Sequence, residues 1–242
     1  MTATGLTAHA TVGAERVGER TCCTTLRSAP PISLRTTPDG LYLVGSAAGP
    51  VGGDDVRLDI DVAAGADLDV RTVAAGLTYP SAHRHRSRFD VTATVAAGAT
   101  LRWRPEPTVL VAGCDHRTAA TVRLAEGAAL VWRDEVVLGR HGEPSGSLLQ
   151  RLRIDVAGRP LLRNDLALGP AWPGAEGPAG AGAARAVGTL VVVGEAAAGA
   201  VLPSPVDGVR AGRSELGPDA VLLTAVGDRW SLVRRALSSV DG

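Results

Sequence analysis

Hydrophobic and polar residues alternate along a segment that recurs four times between residues 54 and 163. In the first copy, apolar side chains occupy every second position from Val56 to Val62, a four-residue turn follows, and Leu68 and Val70 resume the same alternation. A period of two is typical of a β-strand with one buried face. Each copy therefore predicts two strands joined by a tight turn, which we interpret as a β-hairpin.

A glycine stands in the turn of every copy, at a nearly constant spacing. Gly65, Gly98, Gly127 and Gly158 are separated by 33, 29 and 31 residues. A tight turn between twisted strands usually needs a residue at positive φ, which glycine adopts without strain. A repeat of this length is typical of stacked units that share a continuous core. The sequence thus predicts an all-β fold of repeated β-hairpins forming a β-superhelix, or solenoid-like domain, with a two-sheet sandwich as the alternative.

The last third of the chain has a different composition. Residues 169–188 are mostly Gly, Ala and Pro, which predicts a flexible connection inside a single domain that spans residues 1–242. Two apolar runs, 189–193 and 221–226, predict buried strands. Apolar residues at helical spacing after Asp228 predict a short C-terminal helix, capped by that residue and packed on its own domain.

Charge and cysteine content exclude several classes of protein. Lys+Arg and Asp+Glu number 25 each, every basic residue is Arg, and the formal net charge is zero. Nucleic acids and anionic membranes attract strongly positive proteins, so neither is an expected partner. The three cysteines, two of them adjacent, form no regular disulfide framework. With no secretory leader pattern at the N-terminus, we expect a cytoplasmic protein with reduced thiols and no membrane segment.

Familiar catalytic motifs are missing from the sequence. It contains no nucleophile elbow, P-loop, dinucleotide-binding glycine motif or His-Glu-x-x-His zinc site. We therefore expect a protein that is not an enzyme.

Two pairs of residues have the spacing of metal ligands, His83-x-His85 and Cys114-x-His116. Side chains two residues apart on a strand face the same way, so either pair could contact a divalent ion such as nickel or zinc. Three arginines interleave with the histidine pair, and they favour a solvated surface segment instead. Cys114 follows an apolar run, which favours a buried structural thiol beside an exposed His116.

Five short segments occur in an order and spacing that resemble the UreD (UreH) family of urease accessory proteins, over roughly residues 12 to 168. They are 44–54, the first Ala-Gly-Ala turn, the Leu-Arg-Trp-Arg-Pro-Glu-Pro run at 101–107 with 108–110, Gly139-Arg140, and 149–152 with 158–161. The C-terminal strand and helix are also similar to the end of that family. The chain departs from the family pattern at 73–80, where a Thr-rich stretch with Lys and Tyr-Arg is usual, and in the small-residue region 169–188.

The resemblance implies a chaperone for urease rather than an enzyme. Such a scaffold binds the urease apoprotein in a complex with the accessory proteins UreF and UreG, a GTPase, and assists nickel insertion during metallocentre assembly. It implies no tightly bound cofactor and nickel only in transit, so Cys114, His116, His83 and His85 are candidates for transient nickel contacts. Two alternatives stay open: a cupin-like metal-dependent enzyme, because His-x-His follows a glycine in a β-rich sequence, and a generic β-solenoid binding module.

Overall fold

Two facing β-sheets and a short C-terminal helix make up the computed structural model, which describes residues 5–83, 85–178, 180–202 and 205–238. In chain order, the strands are β1 (Thr7–Val17), β2 (Arg20–Arg27), β3 (Ile32–Thr37), β4 (Gly40–Gly45), β5 (Asp55–Val62), β6 (Asp67–Thr72), β7 (Gly76–Thr78), β8 (Ser87–Val95), β9 (Thr100–Trp103), β10 (Thr108–Leu110), β11 (Asp115–Leu124), β12 (Ala129–Val137), β13 (Ser147–Val156), β14 (Arg159–Leu168), β15 (Ala186–Val193), β16 (Val209–Gly217) and β17 (Ala220–Gly227). A 3-10 helix spans Glu195–Gly199, and the helix α1 spans Trp230–Leu237.

The chain winds alternately through the two sheets. The seven-stranded sheet has the order β14-β13-β11-β8-β5-β1-β2, and the ten-stranded sheet runs β16-β17-β15-β12-β9-β6-β4-β3, with β10 pairing to β12 and β7. Strands β1, β5, β8, β11 and β13 are parallel neighbours, and so are β4, β6, β9 and β12. Each turn of chain therefore lies directly beside the previous one. The result is a β-solenoid of about four turns, which confirms the predicted all-β, solenoid-like fold.

Pairing inside each repeat differs from the hairpin interpretation. In the first three copies the two strands belong to opposite sheets and pair with the neighbouring copies instead of with each other. The turn is thus a corner that carries the chain from one sheet to the other. Only in the fourth copy do the strands, β13 and β14, pair antiparallel as a hairpin.

Turn length and φ angles explain this difference. Each of the first three corners has four residues, including one glycine at positive φ: 71° at Gly65, 67° at Gly98 and 73° at Gly127. The fourth turn has two residues, Ala157 at φ 47° and Gly158 at φ 73°. Two consecutive residues at positive φ are the mark of the two-residue hairpin turn that fits the strand twist. The glycine at positive φ that the sequence predicts is therefore present in all four turns.

Apolar positions of the repeats fill the space between the sheets. Val56, Leu58, Ile60 and Val62 are at most 2% exposed, and the equivalent Val122 in the third copy is fully buried. The alternation read from the sequence therefore identifies the inward face of the solenoid.

The helix α1 covers the outer face of the ten-stranded sheet, in contact with β15 and β17, as predicted for a helix that packs on its own domain. Close approach requires Gly188 on β15, because a Cβ there would lie 2.6 Å from Leu237 Cδ1 and 2.9 Å from Val233 Cγ1. The predicted cap is wrong: the residue preceding the helix is Arg229, and no side chain caps the helix N-terminus. In the described part of the chain, no helix combines the length and apolar character needed to cross a bilayer.

The Gly/Ala/Pro-rich segment forms a loop, but a shorter one than the sequence predicts. Its described residues from 169 to 185 make successive turns, and residues 186–188 already belong to β15. The flexibility of the segment stays a prediction.

Substitutions at two neighbouring positions of β11 test which face of the strand points inward. Val122→Asp places a carboxylate among apolar side chains with no partner, which should cost more than about 4 kcal/mol and leave little soluble folded protein. Arg123→Asp, one residue away on the exposed face, should change the free energy of unfolding by less than about 0.5 kcal/mol. Soluble yield and urea unfolding measure both, and equal behaviour would contradict the assigned faces.

Candidate functional site

A cavity of about 400 Å³ lies between the two sheets of the solenoid. Its wall is mostly apolar, and the inward faces of β8, β11 and β13 oppose those of β6, β9 and β12 across it. Exposed residues of the loops around Ala47 and Val73 form part of its rim. Polar residues interrupt the apolar wall, among them Glu106, His116, Asp134, Glu135, Gln150 and Arg151. An apolar cavity with few polar groups is the usual form of a site that positions a small solute.

Asp134 is the central polar group of this wall. The Trp132 indole donates a hydrogen bond to Asp134 Oδ2 at 2.7 Å, and the Trp103 indole donates to Oδ1 at 3.3 Å. The two indole rings stack at 5.0 Å with an angle of 15° because Trp103 and Trp132 are direct neighbours in parallel strands. Both carboxylate oxygens are therefore held by neutral donors.

Burial has a clear effect on Asp134. The carboxyl group is partly buried at the cavity, and desolvation raises its pKa above the ordinary value, although the two indole hydrogen bonds act in the opposite direction. An ionised carboxylate at this position has no cation to compensate it within the pairs formed by described residues. A cation that enters the cavity would thus be attracted to Asp134.

His116 faces the same cavity from the opposite sheet. It is the second residue of β11, is 2% exposed, and its Nδ1 lies 2.8 Å from Ser87 Oγ. Burial lowers the pKa of His116 to about 4. The imidazole is therefore neutral at pH 7 and retains one nitrogen lone pair, which is what a metal ligand needs. The expectation of an exposed histidine beside a buried thiol is wrong for this side chain.

Cys114 lies just before β11, in an apolar cluster with Leu110 and Leu148, and does not line the cavity. Its Sγ is 3.1 Å from Thr78 Oγ1, and that hydroxyl also donates to the Val109 carbonyl at 3.1 Å. Since a hydroxyl has one hydrogen, the thiol donates to Thr78. Burial raises the pKa of Cys114, which keeps the thiol protonated, whereas metals bind the thiolate. His116 thus lines the cavity and Cys114 does not, and the transient nickel contact of this pair stays a prediction.

His83 and His85 lie in the loop between β7 and β8 and are both exposed. They do not lie on a strand, but their ring centroids are still 5.9 Å apart, with a tilt of 58°. Within the described residues no group of three or more His, Cys, Asp and Glu side chains has the arrangement of a metal site. The transient nickel contacts of these histidines stay a prediction.

A second polar cluster joins the wall of the cavity to the C-terminal helix. Arg234 of α1 donates to Glu106 at 2.9 and 3.0 Å, and to Glu135 at 2.9 Å. The Glu135 side chain is only 1% exposed, and Arg234 also covers the Trp230 ring at 4.5 Å. Burial by itself lowers the pKa of Arg234, but the two carboxylates outweigh it and the net pKa is raised. The helix is thus fastened to the sheet by a charged hydrogen-bond network.

Sequence reasoning missed Asp134, Glu135 and Arg234. The repeat contains one indication of Asp134. Trp103 and Trp132 occupy equivalent positions in successive copies, so parallel stacking should bring their indole groups together. Asp134 lies two residues after Trp132 and therefore on the same face of the strand. Arg234 and Glu135 are 99 residues apart, and no local pattern connects them.

Comparison with known proteins matches the chain to one family. A family model described as "UreD urease accessory protein" matches residues 6–241. A protein named urease accessory protein UreD from Frankia alni is 45% identical over 217 residues, which cover 83% of this chain and 72% of the relative. One of the same name from Streptomyces avermitilis is 39% identical over 98% of this chain and 97% of the relative.

Replacement of Arg234 should loosen α1. Among the described residues, Arg234→Met leaves the buried Glu135 with one cationic neighbour, Arg133, whose Nε lies 3.9 Å away. Loss of one partner of a buried ion pair typically costs about 3 kcal/mol. Urea unfolding should show this loss, while Arg235→Met, at an exposed position of the same helix, should change stability by less than about 0.5 kcal/mol. Adding Glu135→Gln should restore part of the loss, and equal stability of the two Arg variants would refute the fastening role.

Because of His116, the folded chain should lose stability as the pH is lowered. Between pH 6.5 and about 4 the unfolded chain binds a proton at this histidine and the folded chain does not, so stability is lost as pH falls through that window. The full effect is about 3 kcal/mol at 1.36 kcal/mol per pKa unit. His116→Gln should flatten the dependence of the free energy of unfolding on pH, whereas His85→Gln, at an exposed position, should not. The raised pKa of Asp134 affects wild type and both variants in the same way. Unfolding measured at pH 7, 5.5 and 4.5 tests this, and parallel curves for wild type and His116→Gln would contradict it.

Proposed function

Because the chain belongs to the UreD family of urease accessory proteins, we propose that it is a cytoplasmic maturation factor that binds the urease apoprotein and assists nickel insertion into the urease active site. It acts as a scaffold in a complex with UreF and UreG, the GTPase. Urease accessory proteins have a role in urease maturation, and the finer steps are our proposal.

One observation carries the nickel part of the proposal, namely the cavity between the sheets with His116 and Asp134 in its wall. A cation needs a path in which its lost hydration is partly replaced, and an apolar wall with a few oxygen and nitrogen donors supplies this. Imidazole and carboxylate are both ordinary ligands of nickel. The cavity is therefore a candidate for part of the route along which nickel reaches the urease.

His116 is the best candidate for a contact with nickel in this route. When its Nδ1–H donates to Ser87 Oγ, the lone pair is on Nε2, and second-shell contacts of this kind orient metal-binding histidines. Transit requires weak binding, because a site that holds nickel tightly would stop delivery. One imidazole and one carboxylate form a shallow well, since tight nickel sites use more ligands.

Cys114, His83 and His85 have weaker support as nickel contacts. The thiol of Cys114 donates to Thr78 and does not itself line the cavity, and the two histidines lie in an exposed loop. An exposed pair could still receive an ion from a partner protein.

Binding and guidance, rather than turnover, are the proposed contribution of this chain. Hydrolysis of GTP belongs to UreG in this scheme, and nickel is cargo and not a resident cofactor. The cupin-like alternative has no supporting observation, because His83 and His85 do not lie on inward-facing strands. The other alternative, a generic β-solenoid binding module, is compatible with this proposal, because a scaffold of the maturation complex is itself a binding module.

The proposal is tested by nickel content. Deletion of the chain from a urease-positive host should leave urease protein near its normal level but mostly without nickel, and the wild-type gene should restore the metal. At limiting nickel, His116→Gln should restore less nickel than wild type, whereas Cys114→Ala should restore it wherever soluble protein levels are equal. Elemental analysis of purified urease gives nickel per subunit.

Two results would count against the proposal. Equal nickel content in urease from deletion and wild-type strains would refute the maturation role. Full restoration by His116→Gln at limiting nickel would leave the maturation role intact and remove His116 from the route.

A further inference from the structure

Arginine side chains gather on the outer face of the seven-stranded sheet. On β11, His116, Ala120 and Val122 point inward, so Arg117 points outward. Parallel pairing sets Arg117 directly beside Arg88 of β8. Arg151 of β13 is two positions farther along this face, opposite Ala119. In-register stacking thus brings three guanidinium groups to one place.

Arg117 differs from its neighbours in its pairing. Arg88 Nε lies 2.9 Å from Asp90 Oδ2, and Arg151 Nε lies 3.4 Å from Asp165 Oδ2. Among the described residues Arg117 has no carboxylate within ion-pair distance, whereas its buried Nε lacks a hydrogen-bond partner just as those of Arg88 and Arg151 do. The face therefore holds a cation that forms no ion pair with a described residue and lies between two other cations.

This arrangement is unfavourable in the isolated chain. Burial lowers the pKa of Arg117, and repulsion by Arg151 and Arg88 lowers it further, with Asp90 only partly compensating. An anion placed over Arg117 would remove the repulsion and satisfy the free donors at once. Ala119 follows Arg117 on the same face, in register with Asp90 of β8 and Arg151 of β13.

We propose that Arg117, flanked by Arg88 and Arg151, is a docking point for an Asp or Glu side chain of a partner protein. The inference rests on the proposed scaffold function and adds the chemistry by which one partner is recognised. A planar guanidinium binds a carboxylate through two parallel hydrogen bonds, so a single acidic residue fixes both position and orientation.

The surroundings favour a protein carboxylate over a phosphate. The donors lie on an open strand face and come only from side chains, whereas phosphate sites usually enclose the anion with backbone N–H groups of a loop or helix end. The formal net charge of the chain is zero, which removes the long-range attraction for nucleic acids. A local positive patch on a neutral protein fits charge pairing inside a protein interface.

A charge reversal tests the docking point. Wild type, Arg117→Glu and the control Arg123→Glu are each measured by biolayer interferometry against purified urease apoprotein and against purified UreF, at low and physiological salt. Arg123 lies on the same face of β11, six residues and about 20 Å from Arg117, so it matches the change in charge. Arg117→Glu should weaken binding to one of these proteins at least about tenfold and reduce its salt dependence, and Arg123→Glu should stay within about twofold of wild type.

A neutral variant separates docking from folding. Arg117→Gln relieves repulsion between cations, so its melting temperature should equal or exceed that of wild type while partner binding weakens. A lower melting temperature would make Arg117 a structural residue and overturn the inference.

The remaining outcomes also decide between the proposals. If wild type binds a partner and Arg117→Glu binds it equally well, the docking point is refuted and the scaffold function stands. If wild type binds neither protein, both fall. Binding of inorganic phosphate that Arg117→Glu abolishes, with unchanged binding to both proteins, would identify a small-anion site and overturn the inference.

Discussion

In-register parallel stacking is the constraint on which the rest of this structure depends. Each turn of the solenoid sets its side chains directly over the equivalent side chains of the turn before, so like groups meet like groups. For apolar residues this is favourable, and the ladder of Val, Leu and Ile between the sheets follows from it. For Trp103 and Trp132 it gives a stacked pair, and for Arg88 and Arg117 it gives a repulsive one. The cavity wall and the arginine patch are two results of one geometry.

Much of the fold could be predicted from the sequence because period-two alternation and glycine turns are local properties. The repeats and their inward faces follow from the alternation, and the positive φ of the four turn glycines follows from the glycine turns. Whether a turn reverses the chain in one sheet or carries it to the opposite sheet is not local in the same way. A four-residue corner has one residue at positive φ, whereas the Ala157-Gly158 turn has two. The alternation of apolar residues continues in the same way through both kinds of turn, so it does not distinguish them.

The candidate site was less predictable because it is assembled from different turns. His116 could be named from its spacing to Cys114, but spacing does not reveal that the imidazole faces a cavity while the thiol donates to Thr78 in an apolar cluster. Burial and hydrogen bonding decide which of the two can offer a lone pair. Arg234 reaches Glu135 only after the helix docks on the outer face of the sheet, and docking depends on the missing side chain of Gly188.

Asp134 and Glu135 illustrate how one strand serves both faces of the sheet. Consecutive residues of β12 point to opposite sides, so Asp134 accepts from the two stacked indoles and Glu135 accepts from Arg234 of the helix. Arg234 neutralises Glu135, whose charge is therefore used inside the fold. Among the described residues, the side chains that bond Asp134 are the two neutral indole donors of Trp103 and Trp132. Because a carboxylate paired with a cation stabilises structure and one without a cation attracts cations, the choice of partner on each face gives two neighbouring acids different electrostatic properties.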